Sequence, residues 1–592
     1  MPEEFMVMRK IVLVLGSSAQ LALTSCSAEA PCAARFPAAA DASSVHVSVC
    51  GDDGAGNGTA QKPLRTLGAA LRSGARSIAL GEGAYIEELP PIEAATQIVG
   101  YGRDSTHIEN PPSAAQLRGV IEFSSAGQSS ITGVSISGAA GAGIFAASTQ
   151  LTLRHARIGG LRDPAARGFG HGAVVVDGSL DGQDVALDTN AGWGLVARRS
   201  AVSLDGFLAS SNRSGGLAIV DRSPDGAAAT LRGGTVSSNA VTGVASFGGF
   251  LHIEDTAVTG TVSGSSLGAG DGIVGVMLIG ESGLGVRPVV DLLRGTVSGN
   301  ARAGVLLDNA AGGSIQRALI GENGRAGLWL QGSSTRGAGQ APTAVAVSES
   351  TFQGNTASGI VATSGAMLRL AASTVGGTKG ANLLDGLGSV RVGDGLSVFD
   401  GASADVSAST FGTNDRVAIV LDGAASTSRF VGNQVTMAGD SVVIQGATQG
   451  AVTFSSTENT LGAGARVVDV GAARSLGTVR ASIGVPLQHR KNGVLPWSDK
   501  CNLHMFACLP ARSSSRRPWA VLRTRPLRSR QLPRPKRPSR RLLISSRGRV
   551  PKVGRPSGSL TEPLLRTAFA QPRRLPRRAL PARGPRREKR RA

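Results

Sequence analysis

The unit that recurs through most of this chain is most complete in Thr235-Val236-Ser237-Ser238-Asn239-Ala240-Val241-Thr242-Gly243-Val244. It consists of Thr and an apolar residue, then Asn, three variable residues, Gly and an aliphatic residue. The Asn and Gly of this unit occur as Asn190 with Gly194, Asn212 with Gly216, Asn239 with Gly243, Asn300 with Gly304, Asn323 with Gly327 and Asn355 with Gly359. A seventh copy starts at Asn382, and degenerate copies start at Ala139, Gly268 and Asn414.

The spacing of the copies gives the size of one repeat. Successive copies are 22 to 32 residues apart, and a single gap of 61 residues is divided by the degenerate copy at Gly268. A period of this length indicates one supersecondary unit per repeat. The Leu-x-x-Leu-x-Leu frame of leucine-rich repeats is absent, and no apolar run has a helical period. Short alternating segments such as Val202-Ser203-Leu204 remain. We therefore predict an all-β solenoid of stacked coils, each made of short strands.

The two fixed residues of the repeat suit a turn between strands. Asn tolerates left-handed backbone angles and hydrogen-bonds the neighbouring main chain. Stacked Asn side chains can also form a hydrogen-bonded ladder from coil to coil. Gly permits the next bend, and the aliphatic residue returns the chain to the core. At roughly 25 residues per coil and about 4.8 Å between strands, we expect about 16 coils in a rod of about 75 Å.

Composition separates a long body from a basic tail. The chain has 592 residues, 82 of them Gly, only 4% aromatic residues and a net charge of +21. Residues 488–592 contain 30 Lys and Arg against 3 Asp and Glu, so residues 1–487 have a net charge of −6. Many turns and a core of small aliphatic side chains fit a narrow solenoid. Nucleic-acid binding, which the overall charge suggests, concerns the tail alone.

The tail at 488–592 is predicted to be disordered, because an Arg- and Pro-rich segment cannot bury a core. Three interpretations are open: a nucleic-acid-binding arm, a segment that adheres to anionic lipid, or the product of a frameshift in GC-rich DNA. We favour the frameshift and expect no nucleic-acid partner. Cys501, His504 and Cys508 are zinc-ligand types without a convincing fourth ligand, so no metal and no cofactor are predicted.

The N-terminus resembles an export signal. Arg9 and Lys10 precede an apolar stretch that is too short to span a bilayer comfortably. It ends in Leu-Thr-Ser-Cys26, which resembles the bacterial lipobox. The resemblance implies cleavage of a signal peptide at 1–25 and lipidation of Cys26, and Ser27 implies the outer membrane. The alternative is an ordinary cleaved signal with an incidental Cys. Residues 26–44, rich in Ala, Pro and Ser, are expected to be a flexible tether.

Two further cysteines, Cys32 and Cys50, lie in the acidic part of the chain. An oxidising envelope compartment would allow them to form a disulfide. Two unpaired thiols are the alternative.

Residues 45–112 have the character of a cap followed by first coils. The stretch contains Gly-Asp-Asp-Gly-Ala-Gly-Asn-Gly-Thr at 51–59, Lys-Pro-Leu-Arg-Thr-Leu at 62–67 and Gly-Ala-Tyr-Ile-Glu at 83–87. Their order resembles the opening of bacterial right-handed parallel β-helix proteins related to pectate lyases. The resemblance implies that 113–487 are the coils of such a helix. We expect Asp52 and Asp53 to be turn residues rather than metal ligands.

Enzymes of that fold need charged residues clustered on one face, and the sequence shows few. Gly170-His171-Gly172 resembles one part of a polygalacturonase site, without the ordered partners. Carboxylates spaced for Ca²⁺ occur only at Asp181, Asp184 and Asp188, near Arg198. We expect turn or loop roles for all of them and assign no catalytic residue. The body's aromatic candidates for stacking sugars are Tyr85, Tyr101, Trp193 and Trp329, the Trp residues being expected in coil packing.

These observations predict a monomeric, outer-membrane lipoprotein that binds or adheres through a long solenoid face, without catalysis. Its partners would be the membrane, through the lipid, and a polysaccharide or another surface protein. The alternative is a polysaccharide lyase or glycoside hydrolase that acts on acidic polysaccharide.

Overall fold

The structure is a computed structural model that describes residues 34–38, 41, 43–112, 118–124, 127–163, 169–220, 228–263, 270–276, 287–332, 341–385, 388–424, 427–445, 454–455 and 457–471. All of them belong to the first of two compact units, Met1–Ala511. The predicted signal peptide, Cys26, Cys32 and the basic tail lie outside the described residues. The described chain winds as stacked coils of three parallel sheets, which confirms the predicted all-β solenoid.

The first sheet of each coil is made mostly of four- or five-residue strands whose side chains alternate between the core and the surface. This alternation follows from the period of two along a strand. The strands are β1 (Val45–Val47), β2 (Ser77–Leu80), β4 (Gln97–Gly100), β7 (Gln128–Thr132), β10 (Gln150–Gly159), β12 (Ser179–Asp188), β14 (Ala201–Asp205), β17 (Ala228–Arg232), β20 (Phe250–Glu254), β23 (Val289–Leu293), β26 (Gly312–Gln316), β29 (Ala344–Ser348), β32 (Met367–Ala371), β37 (Ser403–Ser407) and β40 (Arg429–Val431).

The second sheet is narrower, and most of its strands bury only their central residue. The long strands β10 and β12 run through both sheets, which together hold 28 strands. The other strands of the second sheet are β3 (Gly83–Ile86), β5 (Thr106–Glu109), β8 (Ser135–Ser137), β15 (Leu208–Ser210), β18 (Thr235–Ser237), β21 (Ala257–Thr259), β24 (Thr296–Ser298), β27 (Leu319–Gly321), β30 (Thr351–Gln353), β33 (Thr374–Gly376), β38 (Thr410–Phe411), β41 (Gln434–Val435) and β43 (Thr460–Leu461).

The third sheet has 14 strands, and almost all residues of the first 13 are buried. The coils with strands in all three sheets number 13, fewer than the 16 expected, because insertions lengthen several coils to as much as 39 residues between paired positions. The strands are β6 (Gly119–Phe123), β9 (Ala142–Ala147), β11 (His171–Val176), β13 (Trp193–Arg198), β16 (Gly215–Val220), β19 (Thr242–Phe247), β22 (Asp271–Val276), β25 (Ala303–Asp308), β28 (Ala326–Gln331), β31 (Ser358–Thr363), β36 (Asp394–Phe399), β39 (Val417–Asp422), β42 (Gly439–Gln445) and β44 (Ala465–Gly471).

A single residue in the left-handed region makes the corner between the first and second sheets. A φ near +50° bends the strand within one residue, and several non-glycine residues accept this conformation because the stacked coils hold it. The residues of this column are Gly133, His155, Asp184, Gly206, Gly233, Asp255, Arg294, Arg317, Glu349, Ala372, Ala408 and Gly432.

The repeat Asn makes the corner between the second and third sheets. Asn212 donates from Nδ2 to Asn239 Oδ1 at 2.9 Å, and its backbone N–H donates to the same oxygen at 3.0 Å. Nδ2 also donates to the carbonyl oxygen of Leu187 at 2.9 Å. Each of these Asn side chains thus ties its own coil to a neighbouring one. The same side-chain bond, 2.9 Å long, joins Asn190 to Asn212, Asn300 to Asn323 and Asn323 to Asn355.

The left-handed backbone angle expected at the repeat Asn lies one residue earlier. The residue before each Asn has a φ between +54° and +67°, and it bends the chain out of the second sheet. The Asn itself follows the bend, so its side chain points inward and reaches the neighbouring coils. These left-handed residues are Thr189, Ser211, Ser238, Gly299, Glu322 and Gly354.

The Gly of the repeat was predicted to permit a bend, and this prediction was wrong. Each repeat Gly is the second residue of a third-sheet strand, and none has a positive φ. The residue is needed instead because the coils approach closely. A Cβ at Gly304 would lie 2.7 Å from Asn323 Nδ2 and 2.7 Å from the carbonyl oxygen of Gly327 in the next coil. No side chain fits there without moving the backbone.

The other glycines of the repeat meet the same obstacle. A Cβ on any of them would lie 2.4 to 2.7 Å from the carbonyl oxygen of the glycine at the same position in the next coil. The ladder of Asn side chains and this column of glycines are therefore complementary parts of one interface between coils. The glycines concerned are Gly194, Gly216, Gly243, Gly327 and Gly359.

The copy of the repeat at Asn382 was placed wrongly from the sequence. The ladder position between Asn355 and Asn414 is Thr378, whose N–H donates to Asn414 Oδ1 at 3.1 Å. Asn382 instead lies exposed in an antiparallel hairpin, β34 (Ala381–Asp385) and β35 (Gly388–Val392), that leaves the coil. The ladder position of the coil between Asn239 and Asn300 is Thr261, because its N–H donates to Asn300 Oδ1. Gly268, the start of a predicted degenerate copy, lies outside the described residues, and Gly272 of that copy is in the glycine column.

Three insertions leave the coil at corners between the second and third sheets where the ladder residue is not Asn. After the six Asn positions of the repeat, the next strand of the third sheet starts three residues later. After Leu161, Thr261 and Thr378 it starts only at His171, Asp271 and Asp394. At these three corners the chain extends outward from a position that lacks the Asn side chain, whereas Asn110 is also followed by an insertion before β6 and Ala139 by none before β9.

The cap is held by carboxylates that bind backbone N–H groups. Asp52 Oδ1 accepts from Gly54 at 2.7 Å, as expected of a turn residue. Asp53 Oδ1 accepts from the N–H groups of Arg65 and Thr66 at 2.8 and 2.9 Å. Glu87 similarly receives the first two N–H groups of α1 (Leu67–Arg72), each at 2.8 Å.

Cys50, which follows β1, is part of a disulfide. Every other cysteine of the chain lies outside the described residues, so the pairing with Cys32 stays a prediction. Among the residues that the structure describes, no helix has the length and hydrophobicity needed to cross a membrane.

Candidate functional site

His171, the centre of the Gly-His-Gly motif, is a buried structural residue. Its Nδ1 accepts the backbone N–H of Trp193 in the next coil at 3.0 Å, which requires a neutral ring with a free lone pair. Burial lowers the pKa of His171 to about 4, and nearby Asp163 opposes this shift. The ring is neutral at physiological pH and holds two coils together.

Two aspartates occupy the same strand position as His171, and neither was predicted from the sequence. Asp271 Oδ1 accepts the N–H of Ala303 at 3.1 Å and Arg302 Nε at 2.8 Å. Asp394 receives Arg416 Nε and Nη2 at 2.7 and 2.5 Å. All three residues begin a third-sheet strand just after an insertion, within Gly-[His/Asp]-Gly at 170–172, 270–272 and 393–395. The shared motif marks the point where the chain returns to the coil.

The three carboxylates considered for Ca²⁺ do not converge. Asp181 is bound by Arg154 at 2.6 Å, and Asp188 receives Arg157 through two bonds of 3.0 and 2.8 Å. Asp184 contacts His155 Nδ1 and Arg103 Nη1, each at 2.9 Å. These two contacts lower the pKa of Asp184, the His155 bond most. Arg198 lies in the third sheet, away from these strands. Within the described ranges no group of three or more His, Cys, Asp or Glu could hold a metal.

The aromatic candidates from the sequence are mostly buried. Trp193 packs over Gly215, and Trp329 is 2% exposed with the Arg302 guanidinium 5.7 Å from its ring centroid. Tyr85 lies in the core and donates to the carbonyl oxygens of Val47 and Gly81. Tyr101 is the exposed member of the set.

The open aromatic surface of the coils lies on the first sheet, at β20. Phe250 is 39% exposed, and its ring is parallel to that of His252, at an interplanar angle of 8° with centroids 6.4 Å apart. Both side chains point outward because they alternate with the buried Leu251 and Ile253. We call the outward side chains of β20 (Phe250, His252 and Glu254) the β20 platform.

Two arginines from neighbouring coils hold the acidic end of the β20 platform. Arg232 Nε donates to Glu254 Oε2 at 3.0 Å. Arg294 donates to Glu254 Oε1 and also to both oxygens of Asp255, at 2.8 Å each. Hydrogen bonding to Arg294 is the main cause that lowers the pKa values of Glu254 and Asp255. Both carboxylates are therefore ionised and paired at neutral pH.

A third carboxylate lies beside the imidazole. Asp291 of β23 is the register partner of His252. Its Oδ1 accepts the N–H of Ser314 at 2.9 Å and the Ser314 hydroxyl at 2.7 Å. Register partners in a sheet have neighbouring side chains. An aromatic ring, an imidazole and three carboxylates thus share one open face.

The sequence contains a local signal for this surface that was not predicted. It lies in the alternating segment Phe250–Glu254. The signal is an aromatic, a His and a Glu at successive outward positions. Its charged partners come from strands 22 and 39 residues away in register, which no local pattern indicates.

Comparison with known proteins supports the fold. The family model described as "Right handed beta helix region" matches residues 274–463. No curated protein matches the chain. With the parallel register of the coils, the family match shows a right-handed parallel β-helix.

Solved structures similar to this chain share only low sequence identity with it. Tailspike protein 3 of bacteriophage CBA120 is 14% identical over 72% of this chain and 62% of its own, with a TM-score of 0.36. The chain thus spans about three fifths of that tailspike. Pectate lyase Pel9A is 14% identical over 54% of this chain and 76% of its own, with a TM-score of 0.30. The A-module of the Azotobacter vinelandii mannuronan C-5 epimerase AlgE6 is 13% identical over 69% of this chain and 93% of its own, with a TM-score of 0.23.

Proposed function

We propose that this protein is a lipid-anchored envelope scaffold that binds a polysaccharide on the open face of its first sheet. The observation that carries the proposal is the exposed Phe250 ring, parallel to His252 and bordered by paired charges. An aromatic face offers a saccharide ring an apolar surface, and fixed polar groups around it give orientation. The anchor would be the lipidated Cys26 in the outer membrane, with the coils projecting from it as a monomer.

The rigidity of the surface supports binding rather than a closing site. Neighbouring coils hold Glu254 and Asp255 through Arg294, and Ser314 holds Asp291. A ligand therefore meets side chains that are already ordered, which reduces the entropy lost on binding.

The test is a pull-down of the full-length protein on immobilised acidic and neutral polysaccharides. We expect Phe250→Ala to weaken retention of the bound polysaccharide roughly fivefold, since an aromatic contact contributes about 1 kcal/mol. Leu319→Ala removes an exposed apolar side chain of the second sheet and is the matched control. Equal retention of the wild type and Phe250→Ala would refute binding at the β20 platform.

A second candidate function is a polysaccharide lyase or glycoside hydrolase, which the juxtaposition of His252 and Asp291 favours. An imidazole beside a carboxylate can transfer protons to a bound sugar. Incubation with acidic polysaccharides should then release reducing or unsaturated sugars, and His252→Gln should abolish the release while retaining binding. No release from any substrate that binds would leave the scaffold as the function.

The membrane anchor has its own test. Growth with labelled palmitate should label the wild type and fail to label Cys26→Ser. Label on both proteins would contradict lipidation at Cys26.

A further inference from the structure

A polar groove of about 300 Å³ lies at the N-terminal end of the first sheet, several coils from the β20 platform. It lies where strands β2, β4 and β7 begin. The groove is lined by Arg76, Ala95, Thr96, Gln97, Gln128, Ser129 and Ser130. Its volume is at the lower end of the range for small-molecule sites.

Part of the lining is used to hold the coils together. The N–H of Thr96 donates to Ser129 Oγ at 3.3 Å, and the Thr96 hydroxyl donates to the carbonyl oxygen of Ala94 at 2.8 Å. The N–H of Gln97 donates to the carbonyl oxygen of Arg76 at 2.8 Å. These bonds fix the floor of the groove.

The remaining polar groups are donors and acceptors without a partner in the described chain. Arg76 is the one charged residue of the lining and makes no ion pair with a described residue. The side-chain amides of Gln97 and Gln128 and the hydroxyl of Ser130 make no hydrogen bond to a described residue either. The residues that line this small space thus include one guanidinium, two amides and a hydroxyl that a ligand can reach, since Arg76 and Gln128 are exposed.

We propose that this groove is a binding site for a saccharide unit that carries an anionic group. The Arg76 guanidinium binds the anion through charge-assisted hydrogen bonds. Gln97, Gln128 and Ser130 bind the hydroxyl groups, since an amide offers both a donor and an acceptor. The site is separate from the β20 platform, and its occupancy does not depend on the function proposed there.

The position of the groove relates it to the β20 platform. Gln128 and Phe250 stand at the two ends of one column of register partners on the first sheet. Gln128 pairs with Gln150 at one end of this column, and Ala228 pairs with Phe250 at the other. The column spans five strand steps, about 24 Å. If the polysaccharide proposed above binds at Phe250, the same molecule reaches the groove along this column; that part of the inference rests on the proposed function.

The experiment is a calorimetric titration of the full-length protein in detergent with glucuronate, glucose 6-phosphate, glucose and inorganic phosphate. We expect both anionic sugars to bind at least roughly tenfold more tightly than glucose, because a hydrogen bond to a charged group is worth more than one between neutral groups. The preference between glucuronate and glucose 6-phosphate identifies the anion. Inorganic phosphate binding as tightly as glucose 6-phosphate would overturn the saccharide part of the proposal.

Variants separate the two parts of the site. Arg76→Gln should remove the preference for anionic sugars, and Gln128→Ala should weaken all three sugars by a similar factor. Arg369→Gln, an exposed arginine on the same sheet, is the control for lost charge. Unchanged binding in Arg76→Gln would overturn the proposal. Phe250→Ala should leave these titrations unchanged, so a failure of the polysaccharide test and a failure of this one are distinguishable.

Discussion

Two titratable side chains of the third sheet, His171 and Asp308, are buried, and burial disfavours the charged form of each. Burial keeps His171 neutral and raises the pKa of Asp308 to about 7, although the Asn309 N–H and Arg302 lower it. Each group therefore makes stability depend on pH, in opposite directions. The sign follows from which state binds more protons.

For His171, the unfolded chain binds the proton between pH 6.5 and about 4 while the folded chain does not. Stability is complete above pH 6.5 and falls as the pH drops through this window, by roughly 3 kcal/mol in total. We expect His171→Gln to lose this part of the pH dependence, measured as urea unfolding free energy from pH 7 to 4. His252→Gln, on the surface, should keep the dependence of the wild type.

For Asp308, the folded chain retains the proton up to about pH 7 while the unfolded chain releases it near pH 4. Stability therefore falls as the pH rises from 4 to 7, by roughly 4 kcal/mol at most. Asp308→Asn should be more stable than the wild type at pH 8 and about equal to it at pH 4, by thermal unfolding. The exposed Asp205→Asn is the control; an Asp308→Asn variant without any gain at pH 8 would contradict the assignment.

Among the structural elements, the Asn corner contributes most to specifying the fold. Asn323 donates to Asn355 Oδ1 at 2.9 Å and to the carbonyl oxygen of Val297 at 3.2 Å, and its Oδ1 accepts from Asn300. Losing this side chain takes hydrogen-bond partners from buried groups of both neighbouring coils, at Asn300 and Val297 on one side and at Asn355 on the other. Each such group costs about 1–3 kcal/mol.

We expect Asn323→Ala to lower the free energy of unfolding by at least roughly 3 kcal/mol, measured by denaturant titration. Asn382 stands in the same sequence motif but lies exposed in the hairpin, so Asn382→Ala should change the free energy of unfolding by less than about 0.5 kcal/mol. Similar effects of the two substitutions would show that the ladder is not the source of the stability.

The sequence predicted the elements whose signal is local. The Asn-x-x-x-Gly spacing predicted the stacked coils, and the side-chain bond expected between Asn residues is present at Asn190, Asn212, Asn300 and Asn323. The ladder position at Thr378 was missed because an insertion displaces the next Asn from the corner.

What depends on contacts between coils could not be predicted from the sequence. A recurring Gly has the same appearance whether it is needed for a left-handed angle or for space, and only the approach of Gly216 to Gly194 shows that space is the reason. The partners of the β20 platform were missed for the same reason, since they depend on the register between coils.

At the scale of the whole molecule, each described coil pairs its strands with those of the adjacent coils. Stability in such an array is a sum of local coil terms and nearest-neighbour terms. We therefore expect native-state hydrogen exchange to be slowest in the central coils, near β25, and faster toward β1 and β44. Equal protection of all strands would indicate one global unfolding unit instead.

The corner at which insertions leave the coil has a consequence for how chains of this kind change over time. His171, Asp271 and Asp394 begin the third-sheet strand after an insertion and bind residues of the next coil. The strand that follows therefore keeps its register with the next coil, whatever the length of the insertion. Loop length at this corner and the number of coils can then vary in evolution independently of the interfaces between coils. Descendants of a common ancestor should diverge first in these two quantities and last in the column of asparagines.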